Sequence, residues 1–354
     1  MRCAPAGLLA LPLLAVLAGG APAAAEVVLP AGFNTELYVG GAGFEVAEGR
    51  TARGLPSVST LAFDHQGILY LARTGRRYVG GEVDDLSAVY RIPLGGARLT
   101  PDTESRYHYG PPLRNPQIST MRAGRDLLVS TFDRDRQVGV LYQMLGGRAE
   151  MFAGGTPPRG EAPLLKQPEG AAVDAAGNVY VADRGHGVIV RLDPSGRVID
   201  PRWVTLSRPR VLQMDEGGHL WVGGDGTADA PWQRGPGEIW RVAPDGTPAL
   251  IVRGIMPAAM AFGPRGELVV ADRAAAKIYL IGADGKKVEF INFTDGDAPR
   301  GICFAPVTAE TKRAGIAGDL FIVAISRGAW PVNEVLRVTG PLEEFARRHG
   351  AGSP

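Results

Sequence analysis

The sequence predicts an all-β chain folded as a six-bladed propeller with four-stranded blades, and three observations carry that expectation. Glycine and proline punctuate the chain throughout, with 49 and 28 of them among 354 residues, which disfavours long helices and suits short strands joined by turns. A unit of short apolar runs and tight turns, clearest in "QPEGAAVDAAGNVYVADRGHGVIVRLDPSG", recurs six times. Its spacing of roughly 40 to 60 residues is the length of one blade. Finally, the last copy lacks a fourth strand, while an unpaired strand stands near the start of the chain.

Taken in order, "MRCAPAGLLALPLLAVLAGGAPAAAEVV" carries Arg2, an apolar run from Leu8 to about Ala18 and small residues at Ala23–Ala25. This predicts a secretory signal peptide over residues 1–25, cut before Glu26. The apolar run is too short to span about 30 Å of hydrocarbon, and no later segment is long or apolar enough. The propeller is expected over 26–340, with blades opening at Pro56, Pro116, Pro168, Pro209, Pro257 and Pro299. Third strands follow at "AVYRIPLGG", "GVLYQMLGG", "VIVRLDPSG", "EIWRVAPDG", "KIYLIGADG" and "EVLRVTG", then fourth strands such as "RAEMFAGG" and "TPALIVRG". Thr35 to Gly40, in "NTELYVGG", is expected to close blade six and so remove an exposed sheet edge. Residues 341–354, "PLEEFARRHGAGSP", read as a C-terminal helix or tail.

Composition excludes some function classes. Loss of Arg2 with the leader takes the formal net charge from +1 to about zero, and no basic block remains to bind nucleic acid. Cys3 leaves with the leader, so Cys303 stands alone in an apolar stretch as a small buried hydrophobe, with no internal disulfide. The chain is expected to be periplasmic or secreted, without a membrane span, and a monomer. Neither a GxSxG elbow, a Walker loop nor a CxxC pair occurs. The acidic stretches "FDRDRQ" and "FTDGDAPRG" read as turn chemistry.

Blade geometry also orders the loops. The innermost strand runs away from its proline and the second returns, so the long loops "RTGRRYVGGEVDDLSA", "TPDTESRYHYGPPLRNP", "AGGTPPRGEAPLLKQP", "GGDGTADAPWQRGPGE" and "SRGAWPVNE" gather on the proline face. One long loop, "VTAETKRAGIAG", falls on the far face. Binding residues concentrate on long loops held by a rigid scaffold, which places the candidate site at the proline-face mouth of the central channel. The residue after each blade-opening proline supplies Ser57, Gln117, Glu169, Arg210, Ala258 and Arg300. The ends of the second strands supply Arg73, Thr131, Asp183, Gly224, Asp272 and Ile325, with Arg184, Asp225, Arg273 and Arg327 beside them. Tyr107, His108, Tyr109, Trp232 and Trp330 lie on the covering loops. Gln117, Glu169, Arg184, Arg210, Arg300, Arg73 and Trp330 are the expected ligand-binding residues, and Glu169, Asp183 and Asp272 the candidate ligands for one divalent cation (Ca, Mn or Zn). Asp183 and Asp272 also suit a scaffold role, bonding backbone amides or adjacent arginines. No catalytic set is assigned.

The repeating pattern, proline then glycine, an aspartate turn and an apolar run ending in Ala-Asp, resembles that of the NHL and gluconolactonase-like (SMP-30-like) six-bladed propellers over nearly the whole mature chain. That resemblance implies a cation at the mouth, held by oxygen ligands from separate blades, for lactone hydrolysis. Here Ser57 stands where a glutamate would be expected, and the asparagines of the motif are missing from "RPRVLQMD" and "MPAAMAFG". A zinc site of lyase type needs several histidines, and only His186 and His108 lie on the proline face. "LPAGFNTELY", "LRNPQ" and "GDLFIVAISRG" look like segments of quinoprotein sugar dehydrogenases, for which Arg114, Asn115, Arg300 and Arg327 would hold the quinone. No blade-opening position is the histidine base that such enzymes use. The expectation is therefore a propeller that binds a polar small molecule or a periplasmic partner protein at its mouth, with a metal-dependent lactone hydrolase as the alternative and a quinoprotein dehydrogenase behind it.

Overall fold

In the computed structural model, the described residues are 27–47, 50–55, 58–73, 86–124, 126–133, 135–228, 233–294, 296–326 and 333–351. The leader, Ser57, Arg327, Trp232 and Trp330 lie outside them. The described residues form six blades around a channel. Blade 2 runs Gln117–Arg122, Asp126–Asp133, Val138–Leu145 and Arg148–Gly154, each strand antiparallel to the one before. Blade 3 (Pro168–Val173, Val179–Asp183, Val188–Leu192, Val198–Thr205) and blade 4 (Pro209–Met214, Leu220–Gly224, Glu238–Val242, Pro248–Arg253) repeat that meander. Blade 5 (Pro257–Phe262, Leu268–Asp272, Lys277–Ile281, Lys287–Phe293) adds a fifth strand, Val27–Val28, on its outer edge.

Blade 6 consists of Asp297–Phe304, Leu320–Ser326 and Asn333–Thr339, and the strand Asn34–Ala47 closes it antiparallel from Asn34 opposite Thr339 to Val39 opposite Val335. Closure by the N-terminal strand thus follows the expectation from "NTELYVGG". Blade 1 is less regular. Its Val58–Phe63, Leu69–Arg73 and Val89–Ile92 form a three-stranded sheet, and the following strand, Ala97–Leu99, runs parallel to Val39–Gly41 of the closing strand instead. The 14-residue closing strand extends past blade 6 and takes that partner. The approach is close: a Cβ on Gly96, where φ is +80°, would lie 2.1 Å from the carbonyl oxygen of Tyr38.

Burial on both faces explains why second strands such as "VYVAD" are apolar at every position before the closing aspartate. Val179 and Val181 pack with Leu128 and Leu141 of blade 2, whereas Tyr180 and Ala182 pack with Leu212, Leu220 and Val222 of blade 4. Both faces of each sheet are therefore buried against neighbouring blades. The far-face turns of blades 1, 3 and 4 are each fixed by one aspartate. Asp174 Oδ1 accepts the amides of Ala176 and Asn178 at 3.0 and 2.8 Å, and its Oδ2 the Tyr180 hydroxyl at 3.2 Å. Asp64 repeats this with Gln66, Ile68 and Tyr70, and Asp215 with His219 and the Trp221 indole. In "FDRDRQ", Asp133 likewise accepts the amides of Asp135 and Arg136.

Two helices decorate the propeller. Helix α1, Ala309–Arg313, sits in the long far-face loop and starts from a Thr308–Thr311 capping box. Helix α2, Leu342–His349, covers the far side of blades 5 and 6, with Phe345 edge-on to Phe33 and tilted against Phe290, and it ends at the left-handed Gly350. No helix among the described residues is long and apolar enough to cross a membrane.

Candidate functional site

Every inner strand carries a register shift at its entry on the proline face: between Val58 and Thr60, Ile118 and Thr120, Pro168 and Ala171, Pro209 and Val211, Pro257 and Ala259, and Pro299 and Gly301. Such a bulge re-aims the extra residue. The resulting ring is Ser59, Ser119, Glu169, Arg210, Ala258 and Arg300. In blade 2 the bulge falls two residues past the expected Gln117, which pairs with Ser130 at the strand start; the expected Ser57 of blade 1 lies outside the described residues. Ser59 Oγ is buried with no hydrogen-bond partner.

The charged residues of the ring do not spread evenly; they concentrate between blades 3 and 4. Arg210 donates from Nε to Asp225 Oδ1 at 2.9 Å, from Nη2 to Asp225 Oδ2 at 2.7 Å, and from Nη1 to Glu169 Oε2. Arg184 donates from Nε to Asp225 Oδ2 at 2.9 Å and lies 4.0 Å from Glu169 Oε1. The side chain of Gln167 adds a donor to Glu169 Oε1 at 3.0 Å. Asp225 is fully buried and Glu169 nearly so. Two guanidiniums and two carboxylates make the set formally neutral, which is the condition for holding charges at a site where each isolated ion would cost several kcal/mol. Burial pushes the Asp225 carboxyl up, but hydrogen bonds and charge from Arg210 and Arg184 outweigh it and hold the group below the ordinary carboxylate range. Arg210 is shifted further up by its two carboxylates against the opposing effect of burial.

Neighbouring blades position this cluster. The hydroxyls of Ser119 and Ser130 in blade 2 both donate to the Glu169 carbonyl at 2.8 Å, which fixes the backbone from which the Glu169 side chain projects. Asp183, fully buried, accepts the amides of Gln167 at 2.8 Å and Gly185 at 3.1 Å on Oδ1, and the amide of Lys166 at 2.8 Å and His186 Nδ1 at 2.7 Å on Oδ2. It is a clamp that sets the segment carrying Gln167. Asp272 does the same work in blade 5, accepting the amides of Ala275 at 2.9 Å and Met256 at 3.3 Å, and burial holds its carboxyl above the usual range. Both therefore take the scaffold role.

The expected metal ligands are not brought together. Among the described residues no group of three or more His, Cys, Asp or Glu is arranged to hold an ion. Glu169 faces Arg210 and Gln167, and the oxygens of Asp183 face N–H donors, a donor set that does not fit a divalent cation. Arg73 joins a separate group in blade 1, 3.5 Å from both Glu104 Oε2 and the Tyr90 hydroxyl, which in turn donates to Glu104 at 2.7 Å. The His108 ring lies tilted against Tyr90 there, at 5.5 Å between centroids. Arg300 occupies its ring position in blade 6, half-buried and away from blades 3 and 4. Cys303 is partly buried against the core of blades 6 and 1, and desolvation pushes its thiol up. Gln167 was not among the expected site residues; it precedes Pro168 in a linker, where only the contact reveals it.

No family model matches the chain, and no curated protein does. Solved structures do resemble it. The PQQ-bound aldose sugar dehydrogenase of Streptomyces coelicolor aligns over 88% of this chain and 100% of its own, at 14% identity and a TM-score of 0.55. A glucose dehydrogenase aligns over 87% of this chain and 100% of its own, at 16% identity and 0.52. Virginiamycin B lyase of Staphylococcus aureus aligns over 89% of this chain and 99% of its own, at 14% identity and 0.50. At these identities the likeness is one of fold alone: the chain is a six-bladed β-propeller, and these β-propeller proteins are what it resembles.

Proposed function

We propose that the chain is an exported propeller that binds a polar small molecule at the blade 3–blade 4 sector of its proline-face mouth. The observation that carries this reading is the Glu169–Arg210–Asp225–Arg184 network. The same entry position is serine in blades 1 and 2 and alanine in blade 5, so the scaffold joins blades there without charge. Buried ion pairs contribute little net stability compared with apolar packing, and a site with convergent donors and acceptors on a rigid frame is what a polar ligand requires. The leader at residues 1–25 supports export to the periplasm or medium and a mature chain beginning at Glu26. The relation to NHL and gluconolactonase-like propellers rests on the repeat pattern, and no lactone-hydrolase step is derived from it, since the candidate ligands Glu169, Asp183 and Asp272 do not converge among the described residues.

The test is scanning fluorimetry of the mature protein against sugars, sugar acids and hydroxy acids. A compound that raises the melting temperature of the wild type and has no effect on Glu169→Gln supports the reading, since a ligand that binds only the folded state stabilises it. If no compound shifts the wild type, or the best one shifts both proteins equally, the site is only a tie between blades.

A further inference from the structure

The equivalent positions of blades 3 and 5 differ in one chemically informative way. Asp183 and Asp272 occupy the same place at the end of the second strand, opposite Pro168 and Pro257. Three residues on, blade 5 has Ala275, which serves Asp272 through its backbone amide and has no polar side chain. Blade 3 has His186, flanked by Gly185 and Gly187, and its ring reaches back to Asp183 at 2.7 Å through Nδ1. Blade 5 shows that this turn needs no imidazole, so His186 is an addition to the scaffold. Its side chain is 30% exposed, and Nε2 makes no hydrogen bond among the described residues. An ionised carboxylate only accepts, so Nδ1 carries a proton, and in the neutral ring Nε2 then holds the lone pair.

We propose that His186, oriented by Asp183, is a general base on the proline face that takes a proton from a hydroxyl group, either of water or of a hydroxyl-bearing ligand at the neighbouring site. The O–H bond breaks, the proton passes to Nε2, and the electron pair stays on oxygen; on the ester probe p-nitrophenyl acetate that oxygen bonds to the acyl carbon while the bond to p-nitrophenolate breaks and the phenolate leaves with the electron pair. Asp183 balances the imidazolium until the proton is returned to the product. The hydrogen-bonded path from His186 through Asp183 to the Gln167 backbone, and from the Gln167 side chain to Glu169, makes the base part of the same sector. The idea rests on that reading for the ligand, but the base itself is tested without one.

Two measurements on the full mature chain decide it. Long-range nitrogen–proton correlation spectra in mildly alkaline buffer are expected to show His186 as the Nδ1–H tautomer, the less common form in water; an Nε2–H tautomer overturns the proposal. Hydrolysis of p-nitrophenyl acetate, a probe for an accessible base, is expected to fall at least about tenfold in His186→Gln and to be unchanged in the far-face control His219→Gln. Equal rates in wild type and His186→Gln overturn it as well. Folding is not at issue, because the alanine of blade 5 shows that the turn forms without the ring. Failure here leaves the ligand screen free to succeed, and failure of the screen leaves the tautomer and the probe rate to be read.

Discussion

Arg210 grips Asp225 through two parallel hydrogen bonds, at 2.9 and 2.7 Å, while its remaining nitrogen turns to Glu169 in the adjacent blade. One guanidinium thus bridges two carboxylates from two blades, and a lysine, with a single point of charge, has no equivalent geometry.

Removing that guanidinium leaves two buried carboxylates to share Arg184. Arg210→Met is expected to lower the unfolding free energy by about 3–5 kcal/mol, whereas the combined Glu169→Gln, Arg184→Met, Arg210→Met, Asp225→Asn variant, which removes both charges of each sign, should lie near the wild type. Urea denaturation of the three proteins checks both values.

Asp225 gives the network a pH signature. Its folded-state pKa lies below the unfolded value, so its contribution is present above the unfolded carboxylate pKa of about 3.9 and is lost as pH falls through the lower, folded value. Melting temperature followed from neutral to acid pH should drop for the wild type only in the acid limb. Asp225→Asn should start lower at neutral pH and lose less on acidification.

Phe321 joins the closing strand to blades 6 and 1, with its ring centroid 4.7 Å from Tyr38 and 4.8 Å from Phe63. It is fully buried, so Phe321→Ala should cost about 3–5 kcal/mol. Calorimetry should show one transition shifted down; an unchanged melting temperature contradicts closure of the ring through this contact.

Gly96→Ala adds a Cβ where the Tyr38 carbonyl already stands and where φ is positive. A loss of at least about 1 kcal/mol is expected, measured by the same denaturation.

Much of the fold was legible because a propeller repeats. The five described blade-opening prolines, the aspartate turns and the strand near the start of the chain each report local chemistry that the structure reproduces, down to the strand at Asn34–Val39 that completes blade 6. The site was legible only in part. Glu169, Arg210 and Arg300 could be placed from the blade-opening prolines because the bulge directly follows the proline there. Ser59 and Ser119 could not, since a bulge displaced along a strand leaves no mark in an alternating apolar pattern. Asp183 reads equally well as a ligand or a clamp until its four N–H partners are visible. Gln167 is one more polar residue in a linker until the chain brings it to Glu169.

The most direct test of a ligand site between blades 3 and 4 is a calorimetric titration of the strongest compound from the fluorimetric screen into three proteins: the wild type, the neutralised Glu169→Gln, Arg184→Met, Arg210→Met, Asp225→Asn variant, and Arg241→Met, which removes a guanidinium that donates to the far-face Asp215 at 3.1 Å. Binding weakened by about tenfold or more in the neutralised variant and unchanged in Arg241→Met is the expected result. Equal affinity in the wild type and the neutralised variant would contradict it and reduce the network to a tie between two blades.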